Sequence, residues 1–338
     1  MSLRTSALRA PAAVALVSLL VGSCGDSGHE ATDPTDPGAG PWAFRASLID
    51  PALILKIKPL GNMSPNGHWV PTDHIYFQVA DPDLNQSPVV RRTAFFAPAD
   101  GIVTDVFRSA VVPDVGVRIR VTTTIAYTLG HVIPDIPLAR GTRISAGQRL
   151  GTTGSVFYID LGLFDDGHRL PGFVNPARPG NSANAAAPLK YFDEPLRSQL
   201  YAKVERIGPD LDGKIDYDVP GRLSGNWFMT DSITLSFAYD TYDPARVVIS
   251  VGGGLSPTGV FSIAAADPIP RDVSVASGAV RYTLATWGET GQPLRVRSGV
   301  PTARMLVQML DDQRIRVEVF SVSATAGAFT SNAREFAR

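Results

Sequence analysis

Four runs of residues decide the fold: TAFFAPADGIVTDV (93–106), VGVRIRVTTTIAYTLGHV (115–132), GTRISAGQRLGTTG (141–154) and FYIDLGLFD (157–165). The runs are rich in Val, Ile, Thr and aromatic residues, which are enriched in strands. Glycine, proline and aspartate punctuate them and are typical of tight turns. The segment therefore predicts a compact sheet of short strands, and we expect no long amphipathic helix in the chain.

The order of turn residues within these runs is specific. Ala97-Pro98-Ala99-Asp100-Gly101-Ile102-Val103 is followed by Tyr127-Thr128-Leu129-Gly130-His131, then by Gly147-Gln148-Arg149-Leu150-Gly151 and Gly154. This order resembles the lysostaphin-like (LytM-type) zinc endopeptidases of bacterial cell walls, over part of the chain. The resemblance implies an antiparallel β-sheet domain. We expect its glycines to allow positive φ at sharp corners of the sheet.

The resemblance also implies a metal site, but an incomplete one. In that family zinc is held by a histidine, an aspartate four residues later and the second histidine of a terminal His-x-His strand. The corresponding residues here are His74, Gln78, and Asp160 with Gly162. Glutamine is a poor zinc ligand and glycine has no side chain to bind the ion, because zinc prefers imidazole, thiolate or carboxylate ligands. The resemblance therefore implies a degenerate peptidase domain that keeps His74 and, from its catalytic pair, His131.

A rearranged site is the alternative. His68, Asp73 and His74 are the candidate metal ligands, and His131 and Asp160 are the candidate catalytic residues. A His/His/Asp set that the fold brings together suits zinc with an open position, so zinc is the one cofactor considered. The competing interpretation is that His68 is a polar loop residue and that Asp73 and His74 form a hydrogen-bonded pair at a strand entry.

The N-terminal residues predict export and anchoring. Residues 1–23 have two arginines and a short apolar stretch ending in Val21-Gly22-Ser23, which is typical of a lipoprotein signal peptide. Cys24, the only cysteine, is then the lipidation site, and residues 24–45 are a flexible tether rich in Gly, Pro, Asp and Thr. We expect a lipid-anchored protein of the bacterial cell envelope, in the outer membrane if the host has two membranes.

The rest of the chain divides into three parts. Residues 46–175 are the lysostaphin-like β domain, 176–215 are a linker with one short helix at Pro195–Val204, and 216–338 are a second β-rich unit. Regularly spaced strand-like runs in the second unit predict a barrel or sandwich. Its Gly225-Asn226-Trp227 is similar to the Gly-x-Trp of lipocalin and avidin barrels.

The composition of the chain excludes one class of partner. The net charge is −1 and the sequence has no basic run, so we expect no nucleic-acid partner. The expected function is non-hydrolytic binding of peptidoglycan or another envelope component by the peptidase-like domain. The alternatives are a zinc-dependent peptidoglycan endopeptidase with a rearranged site, and small-molecule binding through the C-terminal β unit.

Overall fold

The computed structural model describes residues 41–63, 68–79, 92–108, 110, 113–154, 158–178, 180–290 and 295–338. The predicted signal peptide, Cys24 and most of the predicted tether lie outside these ranges. The fold is mainly β, as the sequence predicts, and consists of one antiparallel sheet followed by one closed barrel. A helix long and apolar enough to cross a membrane does not occur among the described residues.

Ten strands form the first sheet: β1 (Ile54–Lys58), β2 (His74–Val79), β3 (Ala94–Phe96), β4 (Gly101–Arg108), β5 (Val115–Arg120), β6 (Ile125–Pro134), β7 (Arg143–Ile144), β8 (Arg149–Thr153), β9 (Tyr158–Asp165) and β10 (Ala185–Ala186). The main path is β1-β2-β9-β6-β5-β4-β7, and β10 pairs with β9. Strands β3 and β8 pair with each other, and β8 also pairs with β6. All these pairs are antiparallel.

Alternation along the strands separates the core of the sheet from its polar face. On β2 and β9, Phe77, Ile159 and Leu161 are fully buried in the first hydrophobic cluster. Each such side chain contributes about 1.5–3 kcal/mol through burial. Successive side chains point to opposite faces of a strand, so His74 and Asp160 lie on the other face. The apolar pattern that fixes the sheet therefore also places the candidate site residues together.

The glycines act in two different ways. Gly141 and Gly147 have φ values of +89° and +76°, as expected for sharp turns. Gly151 has no positive φ; a Cβ there would lie 2.0 Å from the backbone oxygen of Ile133 on β6. The expectation of positive φ is therefore wrong for Gly151, where close backbone approach excludes a side chain.

The segment 176–215 is packed against the first sheet. The expected helix is present as α1 (Leu196–Tyr201). Ala185, Leu189 and Phe192 are buried in the same hydrophobic cluster as the sheet. These apolar side chains and the β10–β9 pairing explain why this segment is not an exposed connector.

Eight strands form the closed barrel: β11 (Gly225–Phe228), β12 (Thr234–Tyr239), β13 (Val247–Val251), β14 (Gly259–Ser262), β15 (Ala279–Thr290), β16 (Arg295–Met309), β17 (Arg314–Ser321) and β18 (Arg334–Ala337). Residues 310–313 join β16 and β17 in an antiparallel hairpin. Trp227, Phe237, Tyr282 and Phe336 are buried in one cluster. Closure of the barrel excludes the sandwich alternative.

Trp227 is held at one end of the barrel by hydrogen bonds and a cation. Its indole nitrogen donates to the Leu223 carbonyl oxygen (2.8 Å). The guanidinium of Arg338 lies 4.2 Å from the indole ring centroid and donates to the carbonyl oxygens of Arg222 (2.8 Å) and Ser224 (3.0 Å). The Arg338 side chain thus ties the last strand to the segment that precedes β11.

Replacing Trp227 by alanine is expected to lower the free energy of unfolding of the barrel by about 3–5 kcal/mol, because a fully buried indole leaves a large cavity. Denaturant unfolding monitored by circular dichroism measures the loss. Val300→Ala is the control; Val300 is 73% exposed, and its loss should change stability by no more than about 0.5 kcal/mol. A similar small change for both variants would contradict the role given to Trp227.

Candidate functional site

Three of the predicted site residues converge on the polar face of the first sheet. The Nε2 atom of His131 lies 3.4 Å from Oδ2 of Asp160, and Nε2 of His74 lies 3.9 Å from the same oxygen. All three side chains are partly buried. Asp160 therefore stands between two imidazoles that come from different strands.

The strand register explains this convergence. Asp160 on β9 pairs with Tyr76 on β2 and with Gly130 on β6. A Cβ at Gly130 would lie 2.6 Å from Oδ2 of Asp160, so only glycine lets the carboxylate lie over β6. The next residue, His131, has φ +62°, which is uncommon for a residue with a side chain. This backbone turn brings the His131 ring to the Asp160 side.

Each imidazole is held through its other nitrogen by a carboxylate. Nδ1 of His74 donates to Asp73 (2.8 Å), and Nδ1 of His131 donates to Asp114 (3.0 Å). The donor assignment follows from the carboxylate partners, which accept. A Cβ at Gly154 would come within 2.4 Å of the Asp114 carboxylate, so Gly154 makes room for it. Both Nε2 atoms are thereby left free to bind a ligand on the Asp160 side.

Ser182 extends this support from the segment after β9. Its hydroxyl donates a short hydrogen bond to the second oxygen of Asp73. Asp73 thus receives one hydrogen bond from His74 and one from Ser182. The segment 176–215, expected to be a linker, therefore contributes a residue that fixes the orientation of the Asp73 carboxylate.

Burial lowers the pKa of both converging histidines, but their carboxylate neighbours outweigh it. The hydrogen bond to Asp73 and the charges of Asp160 and Asp73 raise the net pKa of His74 above 6.5. Asp114 and Asp160 raise the net pKa of His131 in the same way. Burial raises the pKa of Asp73, yet its hydrogen bond and charge interaction with His74 and the hydrogen bond from Ser182 lower the net value. The metal-free cluster therefore favours protonated histidines.

His68 lies at the edge of this cluster with a different ionisation. Its ring centroid is 5.3 Å from that of His74 and 5.9 Å from that of Tyr76. Burial and the positive charge of His74 lower the pKa of His68 to about 4. His68 is therefore a neutral imidazole at physiological pH, and its half-buried side chain lies against His74 and Tyr76.

Imidazole nitrogen and carboxylate oxygen are atom types that zinc prefers as ligands, and this cluster offers both. Nε2 of His74 and Oδ1 of Asp160 are buried without a hydrogen-bond partner. The separations of 3.4 and 3.9 Å are long for hydrogen bonds. Ligands about 2.0–2.1 Å from a tetrahedral zinc ion lie about 3.4 Å from one another. Within the described ranges no group of three or more His, Cys, Asp or Glu side chains is arranged to hold a metal ion, so these side chains would have to move to form a site.

Two positions taken from the family resemblance are not part of this site. Gln78 follows His74 by four residues on the same strand, about 13 Å away, and pairs with Tyr158. Glutamine at this position stays a poor zinc ligand, as the sequence indicates. At Gly162 a Cβ would lie 2.5 Å from Oγ1 of Thr128, which leaves no room for a ligand. Carboxylates are instead supplied close to His74 by Asp73 and Asp160.

Two residues that support the site, Asp114 and Ser182, were not among the sequence-based candidates. Asp114 could have been found from the β5–β6 hairpin, which brings the start of β5 beside the end of β6. No pattern in the sequence points to Ser182. Tyr127, part of the motif that resembles the peptidase family, donates its buried hydroxyl to the carbonyl oxygen of Ala99 (3.0 Å). Tyr127 is therefore a core residue.

Solved structures share the architecture in part. The catalytic domain of the M23 protein EnpA from a prophage of Enterococcus faecalis is similar at 20% identity, with TM-score 0.27, over 36% of this chain and 87% of that chain. A zinc-containing peptidase from Vibrio cholerae is similar at 16% identity, with TM-score 0.26, over 37% of each chain. Lysostaphin is similar at 13% identity, with TM-score 0.27, over 73% of this chain and 95% of that chain.

These neighbours are peptidases of the kind that the sequence resemblance names. No protein-family model matches the chain, and no curated protein sequence matches it. The identities and TM-scores are low, so the comparisons carry no argument about the activity of this chain.

Gly130→Ala is expected to weaken zinc binding by about 10- to 100-fold, the usual effect of disturbing the support of a metal ligand, because the new methyl group displaces the Asp160 carboxylate. Calorimetric titration with zinc measures the change. Gly116→Ala on β5 is the matched control, since its Cβ would meet nothing closer than 3.4 Å. Equal affinities of the two variants would show that Asp160 does not act as a ligand.

Proposed function

We propose that this chain is a lipid-anchored protein of the bacterial cell envelope whose peptidase-like domain is a zinc-dependent hydrolase with a rearranged site. His74, His131 and Asp160 would hold the ion. The observation that carries this proposal is the pair of buried, unpartnered ligand atoms, Nε2 of His74 and Oδ1 of Asp160, beside the Nε2 of His131. Leaving such polar atoms unpaired is costly unless a ligand satisfies them.

The surrounding residues have separable roles in this proposal. Asp73 and Asp114 hold the Nδ1–H groups and so direct each Nε2 toward the ion, an arrangement that also raises ligand basicity. Zinc bound there would lower the pKa of a coordinated water and polarise a carbonyl group. His68, neutral and beside His74, is the group that would accept a proton from the attacking water.

The substrate class follows from location and resemblance together. A protein anchored through Cys24, in the outer membrane of a host with two membranes, meets peptidoglycan as the abundant peptide-bearing polymer of the envelope. The resemblance to lysostaphin-like domains points to peptide cross-links. We therefore propose an amide bond of peptidoglycan as the bond that is hydrolysed.

Non-hydrolytic binding of an envelope component remains the second candidate, and one observation favours it. No three ligands are already assembled in the described part of the chain, and protonated His74 and His131 would neutralise Asp160 without a metal ion. Such an ion cluster would be a polar binding surface only. Small-molecule binding inside the barrel has no observation in its favour, because large side chains fill the described interior.

A peptidoglycan cleavage assay distinguishes the proposed hydrolase from a protein that only binds an envelope component. The zinc-loaded protein is incubated with purified peptidoglycan, and the released peptides are identified by mass spectrometry. The proposal predicts cleavage that falls by about 100-fold or more in His68→Ala while zinc remains bound, since a general base contributes at least that factor. A zinc-loaded protein that pulls down peptidoglycan without cleaving it would favour the second candidate.

A further inference from the structure

The loop that carries His68 rests on the barrel. Trp69, the next residue, lies against Gly252, which directly follows β13. A Cβ at Gly252 would be only 3.1 Å from Cγ of the Trp69 indole. Trp69, which is next to His68 in the chain, therefore contacts the barrel and not only the sheet to which His68 belongs.

The chain before this loop is also fixed to the barrel. The hydroxyl of Thr241 donates to the carbonyl oxygen of Leu60 (2.9 Å), and this bond is buried. Met63 packs in a separate apolar cluster with barrel residues Ala238, Val248 and Val260. Both described flanks of the 64–67 segment are thus held by residues of the barrel.

We infer that the barrel is a positioning element of the candidate site, and that the Trp69–Gly252 contact sets the place of His68 beside His74. His68 has no hydrogen bond to His74; the two rings meet edge to face at 5.3 Å. On the site side the His68 ring meets the rings of His74 and Tyr76, and the contact of Trp69 with Gly252 adds a restraint from behind. The role of His68 as proton acceptor rests on the proposed hydrolysis, but its placement does not.

Trp69→Ala and Gly252→Ala test the contact from its two sides in the full chain. A Cβ at Gly252 would also lie 2.7 Å from the Thr234 carbonyl oxygen and can disturb the barrel, whereas Trp69→Ala alters no residue of the barrel itself. Gly253→Ala is the matched control, since its Cβ would meet only a side-chain carbon of Ile233 at 3.8 Å. Trp69→Phe restores an aromatic ring at the contact.

Two measurements read the outcome. In nitrogen-15 NMR spectra, the His68 imidazole signals should move in Trp69→Ala and Gly252→Ala, stay in place in Gly253→Ala, and return toward their original positions in Trp69→Phe. Unmoved His68 signals in Trp69→Ala would overturn the inference. This readout needs no catalysis, so its failure is distinct from failure of the proposed hydrolysis.

Kinetics give the second measurement where cleavage is observed. Trp69→Ala should lower kcat about 10-fold or more with unchanged zinc affinity, because a displaced base loses part of its contribution. The double variant His68→Ala/Trp69→Ala should be no slower than His68→Ala, since residues that act as a unit are not additive. Additive losses would mean that Trp69 acts independently of His68, against the inference.

Discussion

Asp160→Ala is expected to reduce zinc affinity by at least about 100-fold, because the variant removes a ligand, and loss of a supporting contact alone costs about 10- to 100-fold. The variant also removes a carboxylate that faces both Nε2 atoms. The pKa values of His74 and His131 should therefore fall, since the charge of Asp160 raises both. Calorimetry measures the affinity and proton NMR measures the two pKa values.

Asp105→Ala provides the control for this change. Asp105 is an exposed carboxylate on β4, a strand that does not pair with β2 or β9. Its loss should alter neither zinc affinity nor the histidine pKa values. If Asp160→Ala and Asp105→Ala bind zinc equally well, Asp160 is not a ligand and the rearranged site is wrong.

Zinc affinity is expected to fall steeply with decreasing pH. Both imidazoles must lose a proton before they can bind zinc, so the affinity should drop about 100-fold per pH unit well below the histidine pKa values. Because the carboxylates raise both values above 6.5, this decline should begin at a higher pH than for unperturbed histidines. Zinc titrations at a series of pH values measure the slope, and a slope of one proton or none would contradict ligation by both residues.

The metal-free protein should show the opposite dependence in its stability. A histidine whose folded pKa is raised stabilises the fold fully below about pH 6.5 and loses this contribution as the pH rises through the folded value. His74 and His131 should therefore make the metal-free chain less stable above their raised pKa values. Denaturant unfolding of His74→Ala, compared with the unmodified chain, should show a weaker loss over the same pH window.

The fold could be predicted from the sequence because its signals are local. Alternation of apolar residues and turn-forming glycines marked most strands, and the Gly225-Asn226-Trp227 motif indicated the barrel. The packing of 176–215 was missed because three scattered apolar residues in a Pro/Asn/Ala-rich segment give no periodic signal. Their burial depends on the surface that the first sheet presents, which is a tertiary property.

The residue types of the site could be predicted from the sequence, but the contacts between the residues could not. His74, His131 and Asp160 were candidates from their chemistry, and the strand register brings them together as the rearranged alternative required. Strand β2 is continuous from His74 to Val79, so Gln78 lies further along the same strand, four residues from His74. Asp114 and Ser182 lie far from their partners in sequence, so only the fold identifies them as supports of His131 and Asp73.

Zinc stoichiometry of the purified full chain tests the central claim most directly. After equilibrium dialysis against zinc and removal of excess metal, the account predicts one zinc ion per chain. The ion should be lost in His74→Ala and in His131→Ala, and kept in His168→Ala, whose side chain lies exposed in the turn after β9. The absence of bound zinc in the unmodified chain, or retention of zinc by His74→Ala and His131→Ala, would contradict the account.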